Sequence, residues 1–182
     1  MAYFKDLSEY AYFRGDLTGA KNIGWLEKGY EFKTAGTSEE TLDLLWAHCG
    51  VAVKQMRGFH QCDLCAAPHP HWVHASRHGI NLTLGSSEIR VFSHDGRVYA
   101  APNLIYHYVH IHHYKPPDEF LNGLKESLPP TSETYFEKLR EAGIEWEKNH
   151  APATDSRGFR FEKIEGKVRR VEVKLNVFRD ES

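Results

Sequence analysis

The sequence predicts an α+β fold: a mostly antiparallel sheet and several helices, closed by a C-terminal helix plus β-hairpin. Three features of the chain point there. Residues 80–84 and 87–92 alternate apolar and polar side chains, Asp95-Gly96 is a hairpin turn, and 97–100 is the returning strand. Residues 37–49 place Leu42, Leu45, Trp46 and Cys49 at the spacing of one helix face. Between these segments, Cys62 and Cys65 form a Cys-x2-Cys pair on a turn, a knuckle that brings two sulfurs to one side.

Residues 1–35 are aromatic and punctuated by glycine, with Tyr10, Tyr12, Phe13 and Trp25 among the rings. Short strands are expected here, with 22–26 the best candidate. The rings are read as core packing, the ordinary fate of large aromatics, in preference to a platform for stacking bases. The helix over 37–49 opens on a capping box with Thr37 as N-cap and Glu40 reaching back, and Gly50 stops it. Cys49 on its apolar face packs as a small hydrophobe. Residues 51–56 read as a strand leading into the knuckle at 57–65, and 66–78 as a loop rich in histidine and proline. After the 87–100 hairpin, Pro102 suits the first turn of a helix from Asn103 to about His113. A second short helix follows over 118–128, with Phe120, Leu121 and Leu124 on its apolar face.

Past residue 128 the character changes. The organisation is read as a core domain over 1–128 and an extension over 129–182. The extension opens on a helix, roughly 132–149, striped by Tyr135, Leu139 and Ile144 or Trp146 and interrupted by Gly143. Residues 151–157 read as a linker. Residues 159–164 and 168–178 then alternate about Glu165-Gly166-Lys167, a two-stranded hairpin.

A chain of 182 residues can bury a core of its own. Its composition, 41% hydrophobic and 26% charged, is that of a soluble globular protein. A net charge of −2 excludes nucleic-acid binding through bulk charge and leaves only a local basic patch. No basic leader with an apolar run opens the sequence, and no stretch approaches the ~20 apolar residues of a membrane span. A cytoplasmic location is therefore expected, where a Cys-x2-Cys pair holds a metal or cycles between redox states. The pair does not lead into a βαβ unit, so the redox motif is the weaker of the two.

A histidine cluster, His107, His110, His112 and His113, supplies the other half of a metal site. Two thiolates and two imidazoles make a Cys2His2 set for Zn2+, a closed tetrahedral sphere with no position left for water or substrate. That closure favours a structural ion. Knuckle, hairpin and ligand-bearing helix follow in treble-clef order. Cys62, Cys65 and His107 are natural members, and the fourth is open. A regular helix turns by about 500° between His107 and His112, so their rings share a face only if the helix loosens near His112. His110 and His113, or His107 and His110, are better phased. His60 is a further ligand or an outer group, and His69, His71, His74 and His78 read as a solvated loop. A catalytic zinc would need an acid or base nearby, and Glu88 and Asp63 are available. The deaminase pairing of His-x-Glu with Cys-x2-Cys is absent, as are His-Glu-x-x-His, a Gly-rich phosphate loop and a Gly-x-Ser-x-Gly elbow.

Several stretches together resemble a family of small bacterial proteins with no established activity. They are Arg57-Gly58-Phe59-His60-x-Cys62-x-x-Cys65, Glu88-Ile89-Arg90-Val91, Tyr99-Ala100-Ala101-Pro102-x-Leu104-Ile105-x-His107-Tyr108-Val109 and His112-x-Tyr114-x-Pro116-Pro117-x-x-Phe120, with Asn22-Ile23-Gly24-Trp25-Leu26 upstream. The resemblance covers roughly residues 3–124 and implies His107 and His112 as the histidine pair. Three functions compete. The first is a non-enzymatic cytoplasmic protein-binding module with a structural zinc site, specifically an immunity protein that neutralises a bacterial toxin domain. The second is zinc-finger-like nucleic-acid binding aided by Arg57, Arg90, Arg169, Arg170 and Lys174. The third is a zinc hydrolase using His60 or His110.

Overall fold

A computed structural model describes residues 3–13, 18–66 and 72–148, and the backbone of 157–164 and 167–174. The chain divides into two compact units, Met1–His150 and Ala151–Ser182. The first contains strands β1 (Lys21–Asn22), β2 (Val51–Val53), β3 (Val73–Arg77), β4 (Ile80–Leu84), β5 (Glu88–Phe92), β6 (Val98–Pro102) and β7 (Trp146–Lys148). Its helices are α1 (Glu39–Cys49), α2 (Ile105–Ile111), α3 (Asp118–Lys125) and α4 (Glu133–Glu141). The fold is α+β. Five strands form one sheet in the order β1-β6-β5-β2-β7, antiparallel throughout except for the β1–β6 pair. β3 and β4 form a separate antiparallel pair. The second unit is a hairpin of β8 (Arg157–Ile164) and β9 (Lys167–Lys174). Residues 175–178 of the expected last strand, the Glu165-Gly166 turn and residues 151–156 of the expected linker lie outside the described residues, as do His69 and His71.

β5 lies at the centre of the sheet, and all five of its residues are buried. Its alternation suggests a strand with one wet face, but both faces are covered. Ile89 and Val91 join Leu42 and Leu45 of α1, Phe120 and Leu124 of α3 and Ile105 of α2 in the main core. Phe92 packs with Tyr135 and Leu139 of α4, and Tyr10 bonds the Glu88 carboxylate. The N-terminal rings are core material: Tyr10 and Trp25 cluster with Ala20 and Ala100, and Phe4, Tyr12 and Phe13 pack against them.

The helix boundaries follow local chemistry. α1 is capped by Ser38, whose hydroxyl accepts from Thr41 N at 3.3 Å. The cap thus sits one residue past Thr37 and is worth about 1 kcal/mol. Pro102 is not the first turn of a helix. It closes β6 opposite Glu88, and α2 begins three residues later. The loop expected over 66–78 contains β3, because Val73 and Ala75 pair with Leu84 and Leu82. The helix expected over 132–149 ends at Glu141. Gly143 takes φ +65, a conformation that frees the chain to turn, and Trp146–Lys148 returns as β7 beside β2. α4 and β7 therefore lie within the first unit, past residue 128, because Tyr135, Leu139 and Ile144 share a core with Val51, Val53 and Phe92.

His48, in the last turn of α1, is buried with its Nδ1 2.9 Å from Leu44 O. Burial pushes its pKa down to about 4. A histidine depressed in the folded state stabilises above its unfolded pKa of about 6.5 and loses that contribution as pH falls toward 4. Between pH 7 and pH 5 the loss is about 2 kcal/mol for this group alone. Urea unfolding of wild type and His48→Gln at both pH values is expected to show that difference in slope. Parallel slopes would remove His48 from the acid sensitivity.

Candidate metal centre

The knuckle is held by Gly85, the residue that follows β4, and from within by its own amides. His60 N donates to Gly85 O at 2.8 Å. Gly85 takes φ +103, and a Cβ there would overlap the His60 carbonyl oxygen. Only glycine permits this approach. Within the turn, the amides of Leu64 and Cys65 donate to the Cys62 sulfur. Gly85→Ala is expected to destabilise the domain by roughly 2–3 kcal/mol through backbone strain and displacement of the knuckle. Urea unfolding read together with metal content tests it, and an unchanged variant would mean that the knuckle tolerates a shifted base.

The opposite wall is α2. His107 lies in its middle, buried, and His112 is the residue that ends it, at φ −99 and ψ 5. The helix loosens at this point. His112 N and Tyr114 N both donate to Tyr108 O, at 3.1 and 3.0 Å, and His113 takes φ +54. From this last position of the helix the His112 ring meets the His107 ring, Nε2 to Nε2 at 3.2 Å.

The four side chains converge. Cys62 Sγ lies 3.2 Å from His112 Nε2. Cys65 Sγ lies 3.3 Å from His107 Nε2 and 3.4 Å from His112 Nε2, and the two Nε2 atoms are 3.2 Å apart. All four donor atoms fall within 4.8 Å of one another. Ligands bound tetrahedrally at 2.0–2.3 Å stand roughly 3.3–3.8 Å apart, so these spacings match the edges of a small tetrahedron. Hydrogen bonding does not explain them as well. His112 Nε2 has three close neighbours, and a ring nitrogen carries either one proton or one lone pair. A cation shared by four donors satisfies every contact at once. Two sulfurs and two imidazole nitrogens suit Zn2+. Burial pushes the Cys62 thiol up to about 11, so loading an ion here releases a proton from sulfur.

His110 and His113 are not part of the cluster. His110 is exposed beside the Tyr106 ring. His60 turns its backbone to Gly85 and also stays outside, and His78 bonds Asp43 at 2.6 Å on the surface. Two surface depressions lie elsewhere, one lined by Gln55, Arg140 and residues 143–147, the other by Phe92–His94, Leu128 and α4. Neither includes any of the four donors. Glu88 is not available as a catalytic acid or base at the cluster. Its carboxylate accepts from Arg90 Nη1 at 2.6 Å and from Tyr10 Oη at 2.8 and 2.9 Å. Burial pushes its pKa up, against the pull of Arg90 and Tyr10. Glu88 and Arg90 are both fully buried, so Arg90 is also removed from the basic residues that reach solvent. Their i, i+2 spacing in a strand was the signal for this pair, since it puts both on one face.

Among protein families, residues 2–125 match the Domain of unknown function (DUF7919). The chain belongs to the DUF7919 family. All four converging side chains fall within the matched residues, whereas α4, β7 and the β8–β9 hairpin lie beyond them. Comparison with curated proteins and with solved structures matches nothing. Among the described residues of this DUF7919 chain, no helix is long and apolar enough to cross a membrane.

Proposed function

We propose that Cys62, Cys65, His107 and His112 hold one structural Zn2+ and that the protein is a non-enzymatic binding module, an immunity protein that neutralises a bacterial toxin domain by direct contact. The observation that carries the non-enzymatic reading is the closed donor set, in which four protein side chains complete the tetrahedron and leave no site for a substrate. The placement of the set between knuckle and helix, with Cys62 and His107 buried and Cys65 and His112 half-buried, supports it. The partner class rests on a mildly acidic chain of net charge −2, and a cytoplasmic location goes with it.

Two measurements test the two halves separately. Loaded with Co2+, the protein is expected to show the visible spectrum of a tetrahedral dithiolate site, unchanged by added azide. A spectrum that shifts with azide would expose an open position and favour the zinc-hydrolase reading. For the partner, the chain is used to capture proteins from its native cell at moderate salt. A stoichiometric partner whose toxic activity vanishes in the complex is the expected result. Captured proteins that keep their activity when bound would overturn the immunity role.

A further inference from the structure

Charge is distributed unevenly along this chain. Residues 157–174, which span β8 and β9, carry seven Lys or Arg and three Glu, a net of +4. The rest of the chain therefore carries −6 within a total of −2. The hairpin register puts four of the seven basic positions on one face, with Arg160, Lys167 and Arg169 on the other. Arg157 pairs with Lys174, Phe161 with Arg170 and Lys163 with Val168, so Arg157, Phe159, Phe161, Lys163, Arg170 and Lys174 occupy positions on one face of the ribbon. Glu172 is the one acidic position on that face. Basic positions interleaved with aromatic ones are the pattern that engages a phosphate backbone and stacks bases. Each strand has eight residues, a length of about 27 Å, which spans roughly eight base steps at 3.4 Å. A two-stranded ribbon fits a nucleic-acid groove.

We propose that the β8–β9 hairpin binds nucleic acid through the phosphodiester backbone, using the face that holds the basic positions Arg157, Lys163, Arg170 and Lys174 with the aromatic positions Phe159 and Phe161 among them. The proposal goes beyond the zinc-centred reading and does not depend on it. It also restores in part the second of the competing functions, from residues on the hairpin and without Arg90.

The test is fluorescence anisotropy of the full-length, zinc-loaded chain with labelled 20-nucleotide single strands and 20-base-pair duplexes, from 50 to 200 mM salt. Binding is expected with a slope of log K against log salt near −3, the value for about four phosphate contacts. Arg170→Glu combined with Lys174→Glu is expected to weaken binding to both probes at least tenfold. Arg169→Glu, at a position on the opposite face, is expected to weaken it less. Phe161→Ala is expected to weaken the single strand more than the duplex if bases stack there, and both equally if the ribbon sits in a groove. Either pattern supports the proposal and tells the two forms of nucleic acid apart. Absence of binding at 50 mM salt would overturn it. So would a flat salt dependence, equal loss from Arg169→Glu and the double variant, or tighter association with vesicles containing phosphatidylserine than with either oligonucleotide. Zinc content and circular dichroism of each variant show that the first unit is intact, so loss of binding is not loss of fold.

Discussion

On the proposed zinc assignment, stripping the ion is expected to lower stability by about 4 kcal/mol when the reference is free zinc at a thousand times its dissociation constant. For a domain of this size that corresponds to roughly 8–16 °C in melting temperature. The loss arises because an ion bound by the folded chain and not by the unfolded one stabilises by mass action, and because the emptied site leaves two thiols and two imidazoles crowded at 3.2–3.4 Å. The domain is not expected to unfold outright, as isolated zinc fingers do. Its main core includes Cys62, with Cys65 packed against it, but is built mostly from α1, α2, α3 and β5. Cys62→Ser and Cys65→Ser are each expected to lose stoichiometric zinc and to melt near the temperature of the chelated wild type. His110→Ala and His113→Ala are expected to keep both metal and melting temperature. Thermal melts with metal analysis check this, and a His110 variant that loses zinc while His112→Ala keeps it would reassign the fourth ligand.

The second large effect is expected at the centre of the sheet. Arg90→Ala leaves the Glu88 carboxylate buried without its cation, and removing one partner of a buried pair costs about 3–5 kcal/mol. Tyr10→Phe removes a hydroxyl that donates to that carboxylate at 2.8 Å, with an expected loss of about 1.5–3 kcal/mol. Because Tyr10 belongs to the N-terminal segment and Glu88 to β5, the same change weakens the attachment of that segment to the sheet. Replacing both charges, Glu88→Met with Arg90→Met, is expected to recover most of the stability lost in Arg90→Ala, since apolar side chains of similar size remove the desolvation penalty as well as the attraction. Urea unfolding of the single and double variants gives the coupling. Additive losses would show that the pair contributes nothing beyond its individual side chains.

Much of the architecture was legible because the relevant signals are local. The 80–84 and 87–92 alternation, the Asp95-Gly96 turn and the Leu42–Cys49 stripe each depend on neighbours within a few residues, and each became the element expected. β3 was hidden by the composition of its surroundings, since Val73 and Ala75 stand among His and Pro. Gly143 illustrates the limit of periodicity. An apolar stripe continues through Ile144 and Trp146, but those residues pack from a strand and the turn before it, because a residue at φ +65 cannot belong to a helix. Pro102 is compatible with a helix start and with the end of a strand, and pairing with Glu88 decided between them.

The candidate site divides the same way. The sequence by itself determined the donor types, the knuckle, the presence of a histidine pair on a following helix, and the concentration of basic residues near the C-terminus. These are properties of chemistry and spacing along the chain. Only the tertiary structure decided that His112 stands in the cluster and His110 does not, because the choice depends on how α2 ends against Tyr108 and not on its regular turn. Only the tertiary structure showed that Glu88 and Arg90 are sealed between the N-terminal rings and α4, since whether a charged residue on a strand meets water or a second layer is set by segments far away in sequence.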